Sequence, residues 1–280
     1  MIEIKNLVKK YGNHVAVDDI SFTVESGKIY GFLGPNGAGK STTMNMITGY
    51  IGNTSGSIVI NGHDILAEPE EAKACIGYLP ELPPLYMDMT VMEYLHFVAE
   101  LKKVAKEERE TAIEAAIEMT KLEDVSERMI KNLSKGYKQR VGLAQAILGF
   151  PEIIILDEPT VGLDPVQIIE IRELIKELGK EHTVILSSHI LSEIQAVCDY
   201  VFIISKGKLV ASDTTENLLK NMSKADETAE LVIKGPLHEV EKLLEKIEGD
   251  TDMKFEMEVR TSMKSLEDVF IELTQEGGEE

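Results

Sequence analysis

The stretch Gly34-Pro-Asn-Gly-Ala-Gly-Lys-Ser41 constrains this chain more than any other. Before it lies Ile29-Tyr-Gly-Phe-Leu33, a nearly continuous apolar run suited to a strand buried on both faces, and after it Ser41–Tyr50 is predicted to be helical. GxxxxGK[ST] between a strand and a helix is a phosphate-binding pattern. Its glycines let the backbone curl until consecutive N–H groups point at phosphate oxygens, and the helix N-terminus adds partial positive charge. Gly34, Pro35, Asn36, Gly37, Ala38, Gly39, Lys40, Ser41 and Thr42 are therefore the candidate cradle. Lys40 is expected to reach the β- and γ-phosphates of a nucleotide, and the Ser41 hydroxyl to sit on Mg²⁺. The plainer alternative is a tight glycine turn that merely opens a helix.

A second apolar run, Ile153-Ile-Ile-Leu156, ends in Asp157-Glu158. Ligands of open α/β sheets bind outside the carboxyl ends of the strands, so both carboxylates are expected to emerge at the nucleotide. Asp157 is then the Mg²⁺-side acid, directly or through water, and Glu158 is placed to take a proton from the attacking water. Alone, the pair could equally cap a strand edge.

Around these two motifs the hydrophobic period divides the chain. Ile2 and Ile4, then Ile20, Phe22 and Val24, then Ile58 and Ile60 alternate with polar residues and read as half-buried strands joined at Tyr11-Gly12, Ser26-Gly27 and Asn61-Gly62. From about Val91 to Leu148 the period becomes helical, with Val91, Leu95, Val98 and Leu101 on one face and Ala112, Ala115, Ala116 and Met119 on another. Beyond it the β-rich runs 153–156, 183–186 and 201–204 alternate with helical segments at 166–178 and 190–197, the pattern of a parallel sheet clothed in helices. The expected fold is α/β: a mainly parallel core sheet, an N-terminal antiparallel β subdomain and a helical insertion over about 85–150. Residues 1–220 form the main domain and 221–280 a small α+β appendage, with strands at 230–234 and 255–259, a helix at 237–247 and an N-cap at Ser265-Leu-Glu-Asp268.

Charge narrows the partners. The chain has 29 Lys+Arg against 49 Asp+Glu, a net −20, which disfavours wrapping nucleic acid or lying on an anionic membrane. Residues 221–280, with 7 basic and 17 acidic residues, hold half of that excess. No apolar run approaches the ~18 residues of a membrane span. The first residues, Met1-Ile-Glu-Ile-Lys, lack the basic and apolar regions of a secretion signal. Cys75 and Cys198 stand far apart without a CxxC or Cys/His cluster, as expected of free thiols in a reducing compartment.

Between the two nucleotide motifs stands Leu133-Ser-Lys-Gly-Tyr-Lys-Gln-Arg140, opening a predicted helix. It resembles the LSGGQ signature of ATP-binding cassette (ABC) proteins. Pro159-Thr-Val-Gly-Leu-Asp164 is similar to that family's D-loop, Ser187-Ser-His189 to its switch-histidine region, and Tyr11 stands where the family stacks an aromatic ring on adenine. The resemblance implies a P-loop ATPase core over 1–220, with ATP and Mg²⁺ bound, and a head-to-tail homodimer or a pairing with a homologous subunit. Each ATP would lie between the phosphate loop of one subunit and Ser134 and Gly136 of the other. His189 would bridge the γ-phosphate and Glu158, and Asp164 would lie at the dimer seam, where its alternative is an ordinary turn acid before Pro165.

Two positions depart from the family pattern. Glu81, in Ile76-Gly-Tyr-Leu-Pro-Glu81, stands where a Gln more often touches Mg²⁺; Glu keeps an acceptor but loses the amide donor. The signature carries Lys135 and Tyr137 in place of Gly and Gln while keeping Ser134 and Gly136. These departures, with the ending Ser265-Leu-Glu-Asp-Val-Phe-Ile-Glu-Leu-Thr274, resemble the cassettes that pair with export-type permeases. The implied function is an ATPase subunit energising a membrane transporter from its cytoplasmic face, held there by permease subunits that dock near Glu81–Met89. Apolar Leu85, Tyr86, Met87 and Met89 suit docking, or packing of the insertion onto its own core. A soluble cassette ATPase acting on the ribosome or DNA, and an ATP-gated interaction module, are the alternatives. Lys131, Lys135, Lys138 and Arg140 crowd the signature and read either as a local positive field for a partner-bound ATP or as a solvated helix start.

Overall fold

Alternation along the N-terminal residues builds an antiparallel sheet. β1 (Ile2–Tyr11) and β2 (His14–Val24) turn at Gly12, β3 (Ile29–Leu33) leaves for the second sheet, and β4 (Ser55–Ile60) and β5 (His63–Asp64) return, giving the order β2-β1-β4-β5. β6 (Ile76–Leu79), β7 (Ile153–Asp157), β8 (Thr183–Ser188), β9 (Tyr200–Ser205) and β10 (Lys208–Thr214) join β3 in a six-stranded sheet of order β10-β9-β3-β8-β7-β6. It is parallel from β9 to β6, and β10 closes the β9 edge antiparallel. This computed structural model describes residues 1–218 and His238. The chain divides into two compact units, Met1–Leu218 and Leu219–Glu280. Apart from His238, the elements expected at 230–234, 237–247, 255–259 and 265–274 lie outside the described residues.

The parallel strands are apolar along their length because each face meets a different core. Tyr30, Phe32, Ile153, Ile155, Ile185, Phe202 and Ile204 point toward the antiparallel sheet, meeting Ile2, Ile4, Ile20, Ile58 and Ile60. Their neighbours Ile29, Ile154, Leu156, Val184, Leu186 and Val201 point the other way, into a helical core. A period of two along a doubly buried strand divides one apolar run between two cores in this manner. In the first core Phe202 is the hub: Phe22 lies 4.6 Å from it and Tyr30 stacks on it at 5.7 Å.

Among the described residues, seven α-helices accompany the strands. α1 (Lys40–Ile47) leaves the phosphate loop, α2 (Pro69–Ala74) precedes β6, and α3 (Val91–Leu101), α4 (Arg109–Thr120) and α5 (Lys135–Ile147) form the insertion. α6 (Pro165–Leu178) and α7 (Leu191–Val197) fill the β7–β8 and β8–β9 crossovers. Thr90 opens α3 with a capping box, its hydroxyl accepting from Glu93 N at 3.1 Å while Glu93 Oε2 accepts from Thr90 N at 2.8 Å.

The local expectations shift in identifiable ways. α1 stops at Ile47 rather than Tyr50, because the amides of Tyr50 and Ile51 both turn back to Asn45 O, at 2.9 and 3.1 Å. The buried stripe of α3 is Val91, Tyr94, Leu95, Val98 and Ala99, leaving Leu101 at its edge and 64% exposed. On α4 it is Ile113, Ala116, Ile117 and Thr120, one position on from the alanine face read from the sequence. β6 was not expected, since Gly77 breaks its apolar pattern, and β10 was missed although Lys206-Gly207 between β9 and β10 is a two-residue hairpin turn.

Two substitutions test this division of cores. Phe202→Ala is expected to cost about 3–5 kcal/mol in urea unfolding, and Tyr50→Ala, at a side chain 79% exposed, less than about 0.5 kcal/mol.

Candidate active site

The phosphate loop is held by the close approach of three strands' ends. Gly39 caps α1 at φ +107°, and a Cβ there would stand 2.6 Å from Ala16 O of β2. That contact demands glycine twice, for the left-handed backbone and for the space. Inside the loop Lys40 is 5% exposed, and its Nζ donates to Gly34 O at 2.8 Å and Pro35 O at 3.4 Å. The same ammonium lies 3.3 Å from Glu158 Oε1.

The carboxylates emerge where the sequence placed them, at the end of β7. Asp157 is 3% and Glu158 6% exposed. Asp157 Oδ1 accepts from Ser41 Oγ at 3.3 Å and also from Ser187 Oγ. Burial pushes the Asp157 carboxyl above the ordinary range and neighbouring Glu158 pushes it the same way, while the Ser187 and Ser41 hydroxyls and Lys40 pull it down. Glu158 takes a left-handed backbone, φ +49°, unusual for a residue with a side chain and of the kind that clusters at functional sites. Its N–H donates to Ser187 O and Ser187 Oγ, both at 3.1 Å. On its other side His189 Nδ1 lies 2.8 Å from Glu158 Oε2. A carboxylate only accepts, so Nδ1 carries the proton and Nε2 faces away from Glu158.

A cavity of about 490 Å³ unites these groups. Tyr11, Asn36, Gly37, Gly39, Lys40, Ser41, Thr42, Glu81, Glu158 and His189 line it. Gly34, Pro35 and Ala38 stand behind the lining, the first two presenting carbonyls to Lys40 and Ala38 buried in the core. His14, Ala16 and Val161 also line it and were not foreseen. His14 was within reach of the sequence, since the Gly12 turn makes it the cross-strand partner of Tyr11. Nothing local in the sequence marks Ser187 as the residue that ties Asp157 and the Glu158 amide together.

Asp157 also stands behind the lining, on Ser41, and Ser134, Gly136 and Asp164 are not in this cavity. Ser134 caps α5, its hydroxyl accepting from Tyr137 N at 3.3 Å, and Asp164 caps α6 in the same way from Gln167 N at 2.9 Å. Gly136 lies buried against α6, where a Cβ would come within 2.6 Å of the Gln167 amide carbon. The basic cluster beside them is mostly engaged internally. Arg140 reaches Thr120 O and Glu170, Lys131 pairs with Asp88 at 3.2 Å, and Lys138 donates to Lys131 O at 3.3 Å. Lys135 crosses the D-loop, its Nζ 2.2 Å from where a Gly162 Cβ would stand.

The chain is similar to known proteins over most of its length. The ABC transporter family pattern matches residues 17–161. The bacitracin transport ATP-binding protein BcrA of Bacillus licheniformis is 42% identical over 226 residues, covering 80% of this chain and 73% of the relative. The lantibiotic transport ATP-binding protein SrtF of Streptococcus pyogenes is 37% identical across 78% of this chain and 94% of its own. A solved ATP-binding subunit of an ABC transporter superposes with a TM-score of 0.73 at 29% identity, covering 89% of this chain and 99% of that one. The chain belongs to the ABC transporter family. It is the ATP-binding subunit, an ATPase that energises a membrane transporter.

The contact at Gly136 generates a measurement. Gly136→Ala is expected to lower the urea midpoint by the equivalent of about 1–3 kcal/mol, and Gln167→Ala in the same chain to recover most of it by vacating the space.

Proposed function

We propose that this chain completes its catalytic site only against a second cassette, and that the pair drives an exporter. The observation that carries this is the separation of the motif residues: the phosphate loop, Glu158 and His189 share one cavity and Asp157 stands just behind it on Ser41, while Ser134 and Gly136 open α5 outside its lining. Ser134 offers a hydroxyl at a helix N-terminus, which is chemistry for an anion, and the phosphate loop of its own chain already supplies the triphosphate site. Head-to-tail pairing brings each Ser134 and Gly136 to the other chain's ATP, with Asp164 at the seam. Closing the pair excludes water and strengthens every charge around the γ-phosphate.

The chemistry is an in-line displacement. A water oxygen attacks the γ-phosphorus, the bond to the β–γ bridging oxygen breaks, and ADP and phosphate result. Glu158 Oε takes the proton from the attacking water, and His189, its Nδ1 committed to Glu158, holds its Nε2 toward the γ-phosphate. Lys40 exchanges its carbonyl contacts for the β- and γ-oxygens. Tyr11, half exposed at the cavity mouth, offers its ring face to adenine. Mg²⁺ fits here: Ser41 Oγ and the buried Asp157, whose charge burial disfavours, lie 3.3 Å apart, and Glu81 is in the same lining. Among the described residues no group of three or more His, Cys, Asp or Glu could hold a metal. When bound, the ion supplies positive charge against the β- and γ-phosphate oxygens.

Among the described residues no helix is long and apolar enough to cross a membrane, and in this reading permease subunits provide the path across it. Segment 81–89 supports where they dock, on the cytoplasmic face. Leu85 and Met89 pack onto the chain's own core, but Leu82, Tyr86 and Met87 are 77%, 54% and 44% exposed on the same stretch. The apolar surface the segment offers a partner is thus Leu82, Met87 and the exposed part of Tyr86, whose ring also packs edge-on against Phe97 at 5.2 Å. Export is supported by the relatives, whose names tie them to bacitracin and lantibiotic transport and, in one from Bacillus subtilis, to linearmycin resistance.

Glu158→Gln is expected to lower ATP turnover by about 10²–10⁴ while leaving ATP binding, and to trap an ATP-dependent dimer visible by size-exclusion chromatography. Adding Ser134→Arg should abolish that dimer without abolishing binding to the monomer; a dimer that persists refutes the shared site. Leu82→Glu with Tyr86→Glu should release the chain from its permease during purification from solubilised membranes and leave turnover of the free subunit within about twofold.

A further inference from the structure

Glu193 sits in the first turn of α7, 3% exposed, yet lines no part of the nucleotide cavity. Its two carboxylate oxygens are divided between two segments. Thr160 Oγ1 donates to Oε1 at 2.7 Å, and Ser188 Oγ donates to Oε2 at 2.7 Å. Both hydroxyls are buried, Thr160 at 5% and Ser188 at 0% exposed, so neither has solvent as a substitute partner. We infer that Glu193 is a positioning residue that clamps the loop after β7 to the end of β8, where the loop carrying His189 begins, and thereby sets the pairing of Glu158 with His189.

The chain connectivity makes the clamp act on the reacting groups. Thr160 stands two residues past Glu158 in a tight turn whose Val161 N donates to Glu158 O at 3.2 Å. Ser188 directly precedes His189, and its hydroxyl also accepts from Ile190 N at 3.0 Å, so the backbone is pinned on both sides of the imidazole. The output of these constraints is the 2.8 Å contact between His189 Nδ1 and Glu158 Oε2. Without Glu193, two buried hydroxyls lose their acceptor and the two segments keep only the β7–β8 ladder and Ser187 in common. The clamp joins two hydroxyls and no cation, and a hydroxyl can also accept, so its requirement is for two hydrogen-bonding positions at fixed spacing and not for charge. Gln meets that requirement, since its carbonyl accepts from one hydroxyl and its amide donates to the other. Ala removes both contacts.

This inference rests on the roles given above to Glu158 and His189, and the experiment separates the two. Steady-state ATP turnover and nucleotide affinity are measured on the purified full chain for Glu193→Ala, Glu193→Gln, Thr160→Val and Glu158→Gln. Displacing a base and its partner by about an ångström costs on the order of 10²-fold, so Glu193→Ala is expected to lower kcat by about 10–100-fold. KM and the Kd for ATP should stay within about threefold, as expected when an interaction specific to the transition state is lost. Glu193→Gln should restore kcat to within about threefold of the parent. Thr160→Val, which keeps the shape and deletes one hydroxyl, should fall between them and serves as the deciding variant where Glu193→Ala does not fold.

Three results overturn the clamp: kcat of Glu193→Ala within threefold of the parent beside an inactive Glu158→Gln, equal losses in Glu193→Gln and Glu193→Ala, or kcat and ATP affinity falling together. Normal turnover in Glu158→Gln instead removes the underlying role of Glu158, whatever the Glu193 variants do.

Discussion

Two adjacent carboxylates must be buried at the end of one strand, and most of the site's architecture answers that demand. Asp157 and Glu158 are 3% and 6% exposed, and a buried charge without partners costs several kcal/mol. The donors come from different parts of the chain: Ser41 and Lys40 from the phosphate loop, Ser187 from the neighbouring strand, His189 from the loop beyond it. Satisfying the carboxylates therefore fixes the phosphate loop relative to β7 and β8. The left-handed turn at Glu158 belongs to the same solution, because it directs the Glu158 N–H to Ser187 and its side chain between Lys40 and His189. A site built to hold negative charge with hydroxyls and one ammonium is also one that a phosphate-bound cation would complete.

The parts legible in the sequence are those whose physics is local. A glycine loop between an apolar run and a helix, or an apolar run ending in acids, needs only a few consecutive residues to declare itself. Doubly buried strands were readable for the same reason, since continuous apolarity is their signature whichever core each residue meets. Three-dimensional partnerships were not. Nothing near Glu193 announces that its oxygens serve Thr160 and Ser188, because that pairing requires β7 and β8 to lie side by side and α7 to fold back over both. The alanine face of α4 was displaced by one position for a related reason: Ile113 and Ile117 offer more area to bury, and the helix turns to place them inward.

The signature residues show how one sequence motif can answer two demands. Gly136 was read as allowing close approach to a partner's ATP, yet within its own chain it makes room for Gln167. Ser134 and Asp164 likewise cap the helices they open while remaining exposed enough to face another molecule. A residue in such a position is held by intrachain packing before any partner arrives, which lowers the ordering cost of association. Lys135, which replaces the family's usual glycine, lies over Gly162 of the D-loop and joins the two segments expected at the seam. The departure from the family pattern is thus a contact between elements of one chain, made at the proposed dimer seam.

That arrangement changes what the charge balance means. Against a net charge of −20, the cluster Lys131, Lys135, Lys138 and Arg140 looked like a local positive field. Three of its four members have defined partners within the chain, and Arg140 is largely buried between α4 and α6. Such a field, already spent on carboxylates and carbonyls, adds little at a distance, because exposed charges are screened within about 8 Å at physiological salt. Among the lysines and arginines of the described residues, only Lys40 lines the cavity. Recognition of a polyphosphate by so acidic a protein is therefore left to short-range groups: one buried ammonium, the loop's backbone N–H groups and the N-terminus of α1. Their strength comes from burial and alignment, and it is largely indifferent to the charge carried elsewhere on the surface.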